Sequence, residues 1–311
     1  MGALLLLAFT SVFVSGFHEP RPNGVEIGVV GGPAAVEQVR SALAQRGFDV
    51  RGYTTEAAAR RALLDQDVHG VLVTGSDRIL VAGAFGTPPT QAITTALTNA
   101  ARAQGRTASV RDIRPLPATD SSGLSSLFTV FGTVVPSMIF GALLAIAGRS
   151  LPPASRWAAL LLYAALAGVV VAFSVDTLVG ALPGHFWAIA GLAGLLALAV
   201  SSLCLALGRL LGPPGVACAA LIVVLLGQSS TGGALTYELE PGFHHALSQL
   251  LPNGAALTAL RNTVYFGGAN TAGAIAVLLA WVAAGLGLDL LVQLRRRETP
   301  VLARGRATVA A

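Results

Sequence analysis

Long apolar runs constrain the fold of this chain more than any other feature. Five of them lie in the C-terminal two thirds of the sequence, at residues 123–148, 157–175, 186–207, 215–228 and 272–294. A helix of about 20 apolar residues is long enough to cross the hydrocarbon core of a bilayer. The composition agrees with this reading, because 54% of the residues are hydrophobic and only 11% are charged. The sequence therefore predicts an α-helical polytopic membrane protein.

A sixth apolar run, residues 1–17, opens the chain. It lacks the basic residues that usually precede the apolar core of a signal peptide, although Ser15-Gly16 offers the small residues of a cleavage site. Two interpretations remain open, a retained first transmembrane helix and a signal peptide that is removed. We favour the retained helix, which gives six transmembrane helices in all, with residues 123–294 forming a domain of five.

The only sizeable polar block is residues 18–122, and it alternates between two patterns. The predicted strands are 25–30, 50–53, 68–74, 79–82 and 108–113, and the predicted helices are 34–45, 55–64 and 90–103. Such alternation favours an inserted α/β domain with a largely parallel sheet. Gly31-Gly32-Pro33 follows the first strand without completing the G-x-G-x-x-G pattern, so we interpret it as a tight turn and not as a nucleotide loop.

The distribution of arginine predicts the orientation of the chain. Basic residues are retained preferentially on the cytoplasmic side of transmembrane helices. Every second connection between the apolar runs is basic, and the others are not: residues 176–185 contain no arginine, and the 229–270 connection has Glu238 and Glu240 against the single Arg261. The predicted cytoplasmic anchors are Arg149, Arg156, Arg209, Arg295, Arg296 and Arg297. Residues 295–311 are then a cytoplasmic arginine-rich tail, residues 18–122 are extracytoplasmic, and the net charge of +5 reflects these membrane-flanking arginines and not a nucleic-acid surface.

Several kinds of chemistry are excluded by the residues present. The sequence contains no lysine, so it cannot form a Walker-type phosphate-binding loop or a lysine Schiff base. His69 is an isolated strand residue, and no Ser/His/Asp or Cys/His arrangement indicates an enzyme. Cys204 and Cys218 lie in apolar runs and are interpreted as buried small hydrophobes. We predict no cofactor and no metal site, since the neighbouring His244 and His245 point to different faces of a helix.

Residues 229–270, here called the 229–270 stretch, are neither a plain loop nor a plain transmembrane helix. Glu238 and Glu240 precede a break at Pro241-Gly242, and a second break follows at Pro252. Apolar residues recur at helical spacing after each break, so two half-length helices are predicted. Such helices are too short to cross a bilayer, and non-helical backbone at membrane depth requires protein or water around it. We therefore predict a re-entrant hairpin that covers the outer end of the bundle.

Two charged residues lie in apolar surroundings. Arg261 belongs to the second half-helix, where it either extends outward to water or faces a cavity and pairs with Glu238 or Glu240; both interpretations stay open. Asp289 lies in the last apolar run, close to its C-terminal end. We expect it to extend to the membrane boundary or to pair with Arg296 or Arg297, with a functional role inside the membrane as the alternative.

A family resemblance covers most of residues 110–295. It depends on Asp112-Ile113-Arg114-Pro115-Leu116-Pro117 and then Asp120, directly before the run at residues 123–148, and on three segments of the 229–270 stretch. These segments are Ser230-Thr231-Gly232-Gly233 through Glu240-Pro241-Gly242-Phe243, Leu250-Leu251-Pro252, and Leu260-Arg261 through Tyr265-Phe266-Gly267-Gly268. This pattern resembles the permease subunits of ATP-binding cassette exporters of the type-two membrane family. The resemblance is closest to the branch of phage-infection-protein-like proteins of Gram-positive bacteria.

The resemblance implies a function and partners. Such permeases have six spans per subunit, form dimers, carry re-entrant helices between spans five and six, and are driven by a separate ATPase. The expected function is thus a permease-like subunit in the plasma membrane of a bacterium, exporting a hydrophobic or amphipathic solute. The solute path would include Glu238, Glu240, Pro241, Gly242, Pro252 and Arg261. The alternative is an envelope scaffold, receptor or secretion-accessory protein whose outer domain binds a partner.

Overall fold

The computed structural model describes residues 2–17, 22–43, 46–233, 239–240 and 242–307. A short helix, α1 (Gly2–Phe17), is followed by an α/β unit and then by an apolar helical bundle. Glu238 and Pro241 lie outside the described residues, so the predictions made for them stay predictions.

The α/β unit contains five strands and three helices in the predicted alternation. Its elements are β1 (Val25–Val30), α2 (Pro33–Leu43), β2 (Phe48–Tyr53), α3 (Glu56–Leu64), β3 (Gly70–Val73), β4 (Arg78–Val81), α4 (Thr87–Ala103) and β5 (Ser109–Asp112). The strand order is β2-β1-β3-β4-β5. Only β3 and β4 pair antiparallel, with Gly70 opposite Val81, and the other pairings are parallel. The prediction of a largely parallel sheet is confirmed.

Local signals explain where the helices of this unit begin. Thr55 is the N-cap of α3, and its side-chain oxygen accepts a hydrogen bond from the backbone N–H of Ala58 at 3.2 Å. Helix α4 begins at Thr87, three residues before its predicted start, because the following prolines suit the first helical turn. Helices cover both faces of the sheet. Helices α2 and α4 pack on one face and α3 on the other, each over its own apolar core.

The helical bundle follows a short 3₁₀ turn at Ala118–Asp120. Its elements are α5 (Ser125–Ala147), α6 (Pro153–Ala172), α7 (Phe186–Leu211), α8 (Pro213–Ala220), α9 (Gly227–Ser229), α10 (Gly242–Ser248), α11 (Pro252–Phe266) and α12 (Ala272–Ala307). Two π-helical segments continue the helices, Phe173–Leu178 after α6 and Leu221–Leu226 between α8 and α9. The two half-helices predicted for the 229–270 stretch are thus present as α10 and α11.

The number of transmembrane helices differs from the six expected. Among the described residues, four helices have the length and composition to cross a membrane: Ser125–Ser150, Pro153–Leu178, Phe186–Leu211 and Ala272–Arg295. The continuous helix Pro213–Ser229 and helix α1 contain 17 and 16 residues. At 1.5 Å per residue each is about 25 Å long, which is shorter than a bilayer core of about 30 Å. These two short helices contact each other through the Leu221–Leu226 segment and α9.

Helix α7 is the central helix of the bundle. It packs against α5, α6, α11 and α12. In its most apolar 18-residue segment 72% of the residues are buried, compared with 22–33% in the corresponding segments of the other three long helices. Glycines on three neighbours allow this close approach. A Cβ added at Gly141 of α5, Gly168 of α6 or Gly285 of α12 would lie 2.2–2.4 Å from an atom of α7. Small residues at such contacts are typical of helices that associate in membranes.

A candidate binding site between the α/β unit and the helical bundle

The α/β unit contacts the bundle through the C-terminal end of α11. The ring of Phe266 lies 4.9 Å from that of Phe85 and packs against the core beneath α3. Arg114 Nε donates to the backbone carbonyl of Tyr265 at 2.6 Å, and Asn270 Nδ2 donates to the carbonyl of Asp65 at 2.7 Å. Helix α11 ends at Phe266, and the left-handed φ of 65° at the following Gly267 turns the chain toward α12. The 229–270 stretch is therefore fixed to the α/β unit.

Asp120 forms a second link at this junction. Its carboxylate accepts hydrogen bonds from the backbone N–H and the hydroxyl of Ser125, at 3.2 and 2.8 Å, at the start of α5. The hydroxyl of Tyr265 donates to the other carboxylate oxygen. Burial raises the pKa of Tyr265 well above its ordinary value, and the hydrogen bond to Asp120 raises it further. The phenol therefore stays protonated as a donor, and one carboxylate connects α5 with α11.

A cavity of about 180 Å³ lies in this junction. Both parts of the molecule line it, the α/β unit through Gln66, His69 and Phe85 and the bundle through Thr231, Arg261 and Phe266. One wall is aromatic, because the His69 and Phe85 rings lie 4.7 Å apart and Phe266 continues the row. Amide and hydroxyl groups line much of the rest of it, including those of Gln249, Thr258 and Asn262. Such a combination of apolar walls and a few convergent polar groups is typical of small-molecule sites.

Arg261 lies at this cavity and does not extend outward to water. Its residue surface is 9% exposed, and Nη2 donates to the backbone carbonyl of Gly233. Of the two interpretations left open by the sequence, the structure favours the one in which the guanidinium faces a cavity. Whether Glu238 pairs with it lies outside the described residues. Arg261 therefore brings a charged side chain to the wall of the cavity.

The other path residues that the structure describes are Glu240, Gly242 and Pro252, and none of them lines the cavity. Glu240 is fully buried, and its Oε1 accepts a hydrogen bond from the backbone N–H of Gly232 at 2.9 Å. Its backbone carbonyl accepts from Asn23 of the α/β unit. Gly242 begins α10. Pro252 is the first residue of α11, after Leu251 in an extended conformation, so Pro252-Asn253-Gly254 forms the first helical turn instead of a break.

His244 connects the short helices. Its Nδ1 lies 2.8 Å from the hydroxyl of Ser230, and its Nε2 lies 3.0 Å from the hydroxyl of Ser15 on α1. The ring is buried, so these two contacts satisfy both nitrogens. His244 thereby connects α1, α10 and the end of α9, and the neighbouring His245 takes part in neither contact.

At the opposite end of the bundle, Asp289 pairs with Arg209 of α7. This corrects the expectation that Asp289 would extend to the boundary or pair with Arg296 or Arg297. The carboxylate is 0% exposed and also accepts hydrogen bonds from Trp157 Nε1 at 3.0 Å and from Gln293 Nε2. The carboxylate faces the bundle interior because its cationic and N–H partners lie there. Helices α6, α7 and α12 therefore meet at one buried charge.

The predicted arginine anchors divide into two groups. Arg149 and Arg295 are exposed, as anchors at a membrane boundary are expected to be. Arg156 and Arg209 are buried, and Arg156 donates to the backbone carbonyl of Leu151 at the start of α6. The backbones of Arg296 and Arg297 continue α12, and their side chains lie outside the described residues.

Sequence reasoning missed most of the residues that line the cavity. Gln66, Phe85 and Asn270 come from three separate connections, and His69 was interpreted as an isolated strand residue. One signal was available, since Gly267-Gly268-Ala269-Asn270 is a strong turn sequence directly before the last long helix. Asn270 adopts a left-handed φ of 51° there, which places its side chain against the α/β unit.

Comparison with known proteins yields no family assignment. No family model matches the chain, and neither the curated proteins nor the solved structures contain a significant match to it.

Proposed function

We propose that this chain is a permease-like subunit of an ATP-binding cassette exporter. It would lie in the plasma membrane of a bacterium and move a hydrophobic or amphipathic solute outward. Four long apolar helices support the membrane location. The α/β unit and the 229–270 stretch would both lie on the extracytoplasmic side, since they contact each other at one end of the helices, and the exposed Arg149 and Arg295 follow the opposite ends.

One observation carries the proposal most directly. The cavity that contains Arg261 lies at the junction between the α/β unit and the end of the bundle, against the first turn of α12 at Gly273 and Ala274. A solute leaving the bundle on this side would meet the cavity before it reached the α/β unit. Charged and polar side chains that face a cavity inside a membrane protein often mark a solute pathway.

A line of hydroxyl groups along α5 is consistent with a solute path. Thr129, Thr133 and Ser137 are buried, and each donates to the backbone carbonyl four residues earlier, at 2.6–2.8 Å. The hydroxyl of Tyr163 on α6 donates to Ser137 Oγ at 3.3 Å. Polar side chains inside an apolar bundle generally mark pathways or helix contacts. The line begins beside Asp120 and Tyr265, close to the cavity.

Energy for transport would come from a partner. Without lysine, the chain has no Walker-type loop of its own, so a separate ATP-binding subunit would be required. The resemblance implies a homodimer or heterodimer of such chains. Exposed apolar faces on α5 and α6, including Phe128, Leu143 and Leu162, would contact lipid or a second subunit.

Transport into inside-out vesicles tests the proposal. Vesicles are prepared from the native strain, from a strain lacking the gene, and from that strain complemented with wild type, Arg261→Gln or Arg60→Gln. Arg60 is exposed on α3 and provides a matched loss of charge away from the cavity. We expect ATP-dependent accumulation of labelled amphipathic solutes in native, wild-type and Arg60→Gln vesicles. Accumulation should fall to the deletion background in Arg261→Gln vesicles.

The same experiment separates the alternative function. Equal ATP-dependent accumulation in native and deletion vesicles, across the solute panel, would contradict export. The scaffold or receptor alternative would then be preferred, because the α/β unit and the bundle share the walls of the cavity and both would sense a ligand bound there.

A further inference from the structure

We propose that the cavity between the α/β unit and the bundle binds a neutral molecule with one flat six-membered ring. The edge of this ring carries adjacent N–H and C=O groups, as in a cyclic amide or a pyrimidine base. Such binding goes beyond the proposed function and does not depend on it, because it follows from the walls of the cavity and does not require transport. Backbone conformation, polar groups, charge and size each restrict the ligand.

Two residues that line the cavity have an unfavourable backbone conformation. Gln66 and Asn270 adopt left-handed φ angles of 64° and 51°, although neither is a glycine. The two lie close together, since Asn270 Nδ2 donates to the carbonyl of Asp65, the residue before Gln66, at 2.7 Å. Such conformations are costly and cluster at ligand sites, where the surrounding structure holds them. Two of them at one cavity therefore indicate a site that is shaped for a ligand.

The polar groups of the cavity are mainly neutral amides that offer both donors and acceptors. Gln66 Nε2 is buried and has no hydrogen-bond partner among the described residues, so it is available as a donor. The amide nitrogens of Gln249, Asn262 and Asn270 donate to oxygens of the protein. Within the part of the chain that the structure describes, no donor contacts their amide oxygens, which remain as acceptors. A ring with adjacent N–H and C=O groups pairs with both kinds of group, and it satisfies a buried donor that is otherwise costly.

The charges at the cavity favour a neutral ligand. The Arg261 guanidinium is engaged within the protein, since Nη2 donates to the carbonyl of Gly233 and the side chain has a further interaction there. No aspartate or glutamate among the described residues lines the cavity, so a cation would find no opposite charge in its walls. Moving a charged ligand out of water without a counterion costs far more than moving a neutral amide.

The size and the apolar walls restrict the ligand to one flat ring. The cavity has a volume of about 180 Å³. A cavity of about 150 Å³ accommodates benzene, so this one holds a six-membered ring with small substituents. Phe85, Leu257 and Phe266 form apolar walls, on which a planar ring makes stacking or edge contacts. A sugar carries hydroxyl groups in all directions and would place some of them against these walls without hydrogen bonds.

The test measures binding to the purified full-length wild-type chain in lipid nanodiscs by isothermal titration calorimetry. The ligands are uracil, N-methylacetamide, pyridine, glucose and orotate, which is the uracil ring with a carboxylate, at constant ionic strength. Uracil should bind most tightly, because it alone combines a neutral flat ring with amide edges. N-methylacetamide lacks the ring and pyridine lacks the amides, so each should bind at least about tenfold more weakly. Glucose or orotate binding as tightly as uracil would overturn the proposal, and so would an absence of uracil binding.

Two variants then assign the binding to this cavity. Gln66→Met removes an amide whose nitrogen bonds to no described residue, so it should weaken uracil roughly 3- to 10-fold and leave pyridine nearly unchanged. Gly273→Leu should weaken both ligands, since Gly273 lines the cavity and an added Cβ there meets nothing within 4 Å. Gln91→Met, at an exposed position of α4, is the matched control and should change neither. Uracil affinity equal to wild type in Gln66→Met or in Gly273→Leu would overturn the assignment.

The binding and transport experiments fail independently. Uracil binding that depends on Gln66, without ATP-dependent accumulation in vesicles, would support the ring site and contradict the export function. Export of amphipathic solutes with no uracil binding would do the reverse.

Discussion

At the scale of single residues, the Asp289 carboxylate shows how the bundle stabilises a buried charge with an ion pair and hydrogen bonds. It is fully buried among α6, α7 and α12. It pairs with Arg209 and accepts hydrogen bonds from Trp157 and Gln293. Removing one member of a buried ion pair typically costs about 3–5 kcal/mol, whereas replacing both members by apolar residues is often neutral. The pair thus fixes the relative position of the helices more than it adds net stability.

This difference gives a prediction for the pair. Asp289→Leu should lower the midpoint of thermal unfolding of the purified protein by several degrees, because the Arg209 guanidinium loses its carboxylate in an apolar site. The double variant Arg209→Leu with Asp289→Leu should recover most of that loss. Unfolding followed by circular dichroism in one detergent measures both variants. A double variant less stable than Asp289→Leu alone would contradict this account of the pair.

Gly254 provides a second prediction at this scale. A Cβ added there would lie 1.9 Å from the backbone oxygen of Ser248, whereas one added at Gly273 meets nothing within 4 Å. Gly254→Ala should therefore destabilise the protein by about 1–3 kcal/mol, through forced displacement of α10 from α11. Gly273→Ala, the matched control, should be neutral or stabilising by up to about 1 kcal/mol, because alanine favours a helix. The midpoint of chemical denaturation compares the two. Equal effects would mean that α10 moves aside without cost.

At the scale of elements, the sequence predicted the α/β unit better than the bundle. The strands and helices of the unit follow from the local alternation of apolar and polar residues and from capping residues such as Thr55 before α3. These signals involve residues close together in the chain. Apolarity alone does not fix whether a run spans a membrane, and Pro213–Ser229 reads as a span although it has only 17 residues. The pairing of Arg209 with Asp289, and the meeting of Gln66 and Arg261 at one cavity, bring together residues that are distant in the chain. No local pattern encodes them.

The α/β unit should fold without the bundle, and this is the prediction at the element scale. Its two cores are built almost entirely from its own residues, with Leu239 and Phe266 as additions from the bundle side. Residues 22–115 should show a mixed α/β circular dichroism spectrum and a cooperative thermal transition. Leu72 is buried on β3, so Leu72→Ala should cost about 2–5 kcal/mol and lower the midpoint by roughly 10 °C or more. A featureless coil spectrum would show that the core depends on the bundle.

At the scale of the whole molecule, the α/β unit, the 229–270 stretch and the helix ends form one structure at one end of the bundle. Phe266, Tyr265 and Asn270 contact the α/β unit, and Arg261 lies in the cavity between the parts. For the proposed function, this end must face away from the cytoplasm. If it faced the cytoplasm, the cavity would be at the wrong end for an outward path, and the arginines at the opposite end would contradict the positive-inside rule.

Cysteine accessibility tests this orientation most directly. Ser121 and Ser150 are exposed at the two ends of the first long helix, and Cys204 and Cys218 can be replaced to give a background without cysteine. A membrane-impermeant maleimide is applied to intact cells carrying Ser121→Cys or Ser150→Cys, and then to permeabilised cells as a control for reactivity. We expect labelling of position 121 in intact cells and of position 150 only after permeabilisation. Labelling of position 150 but not of position 121 in intact cells would contradict it.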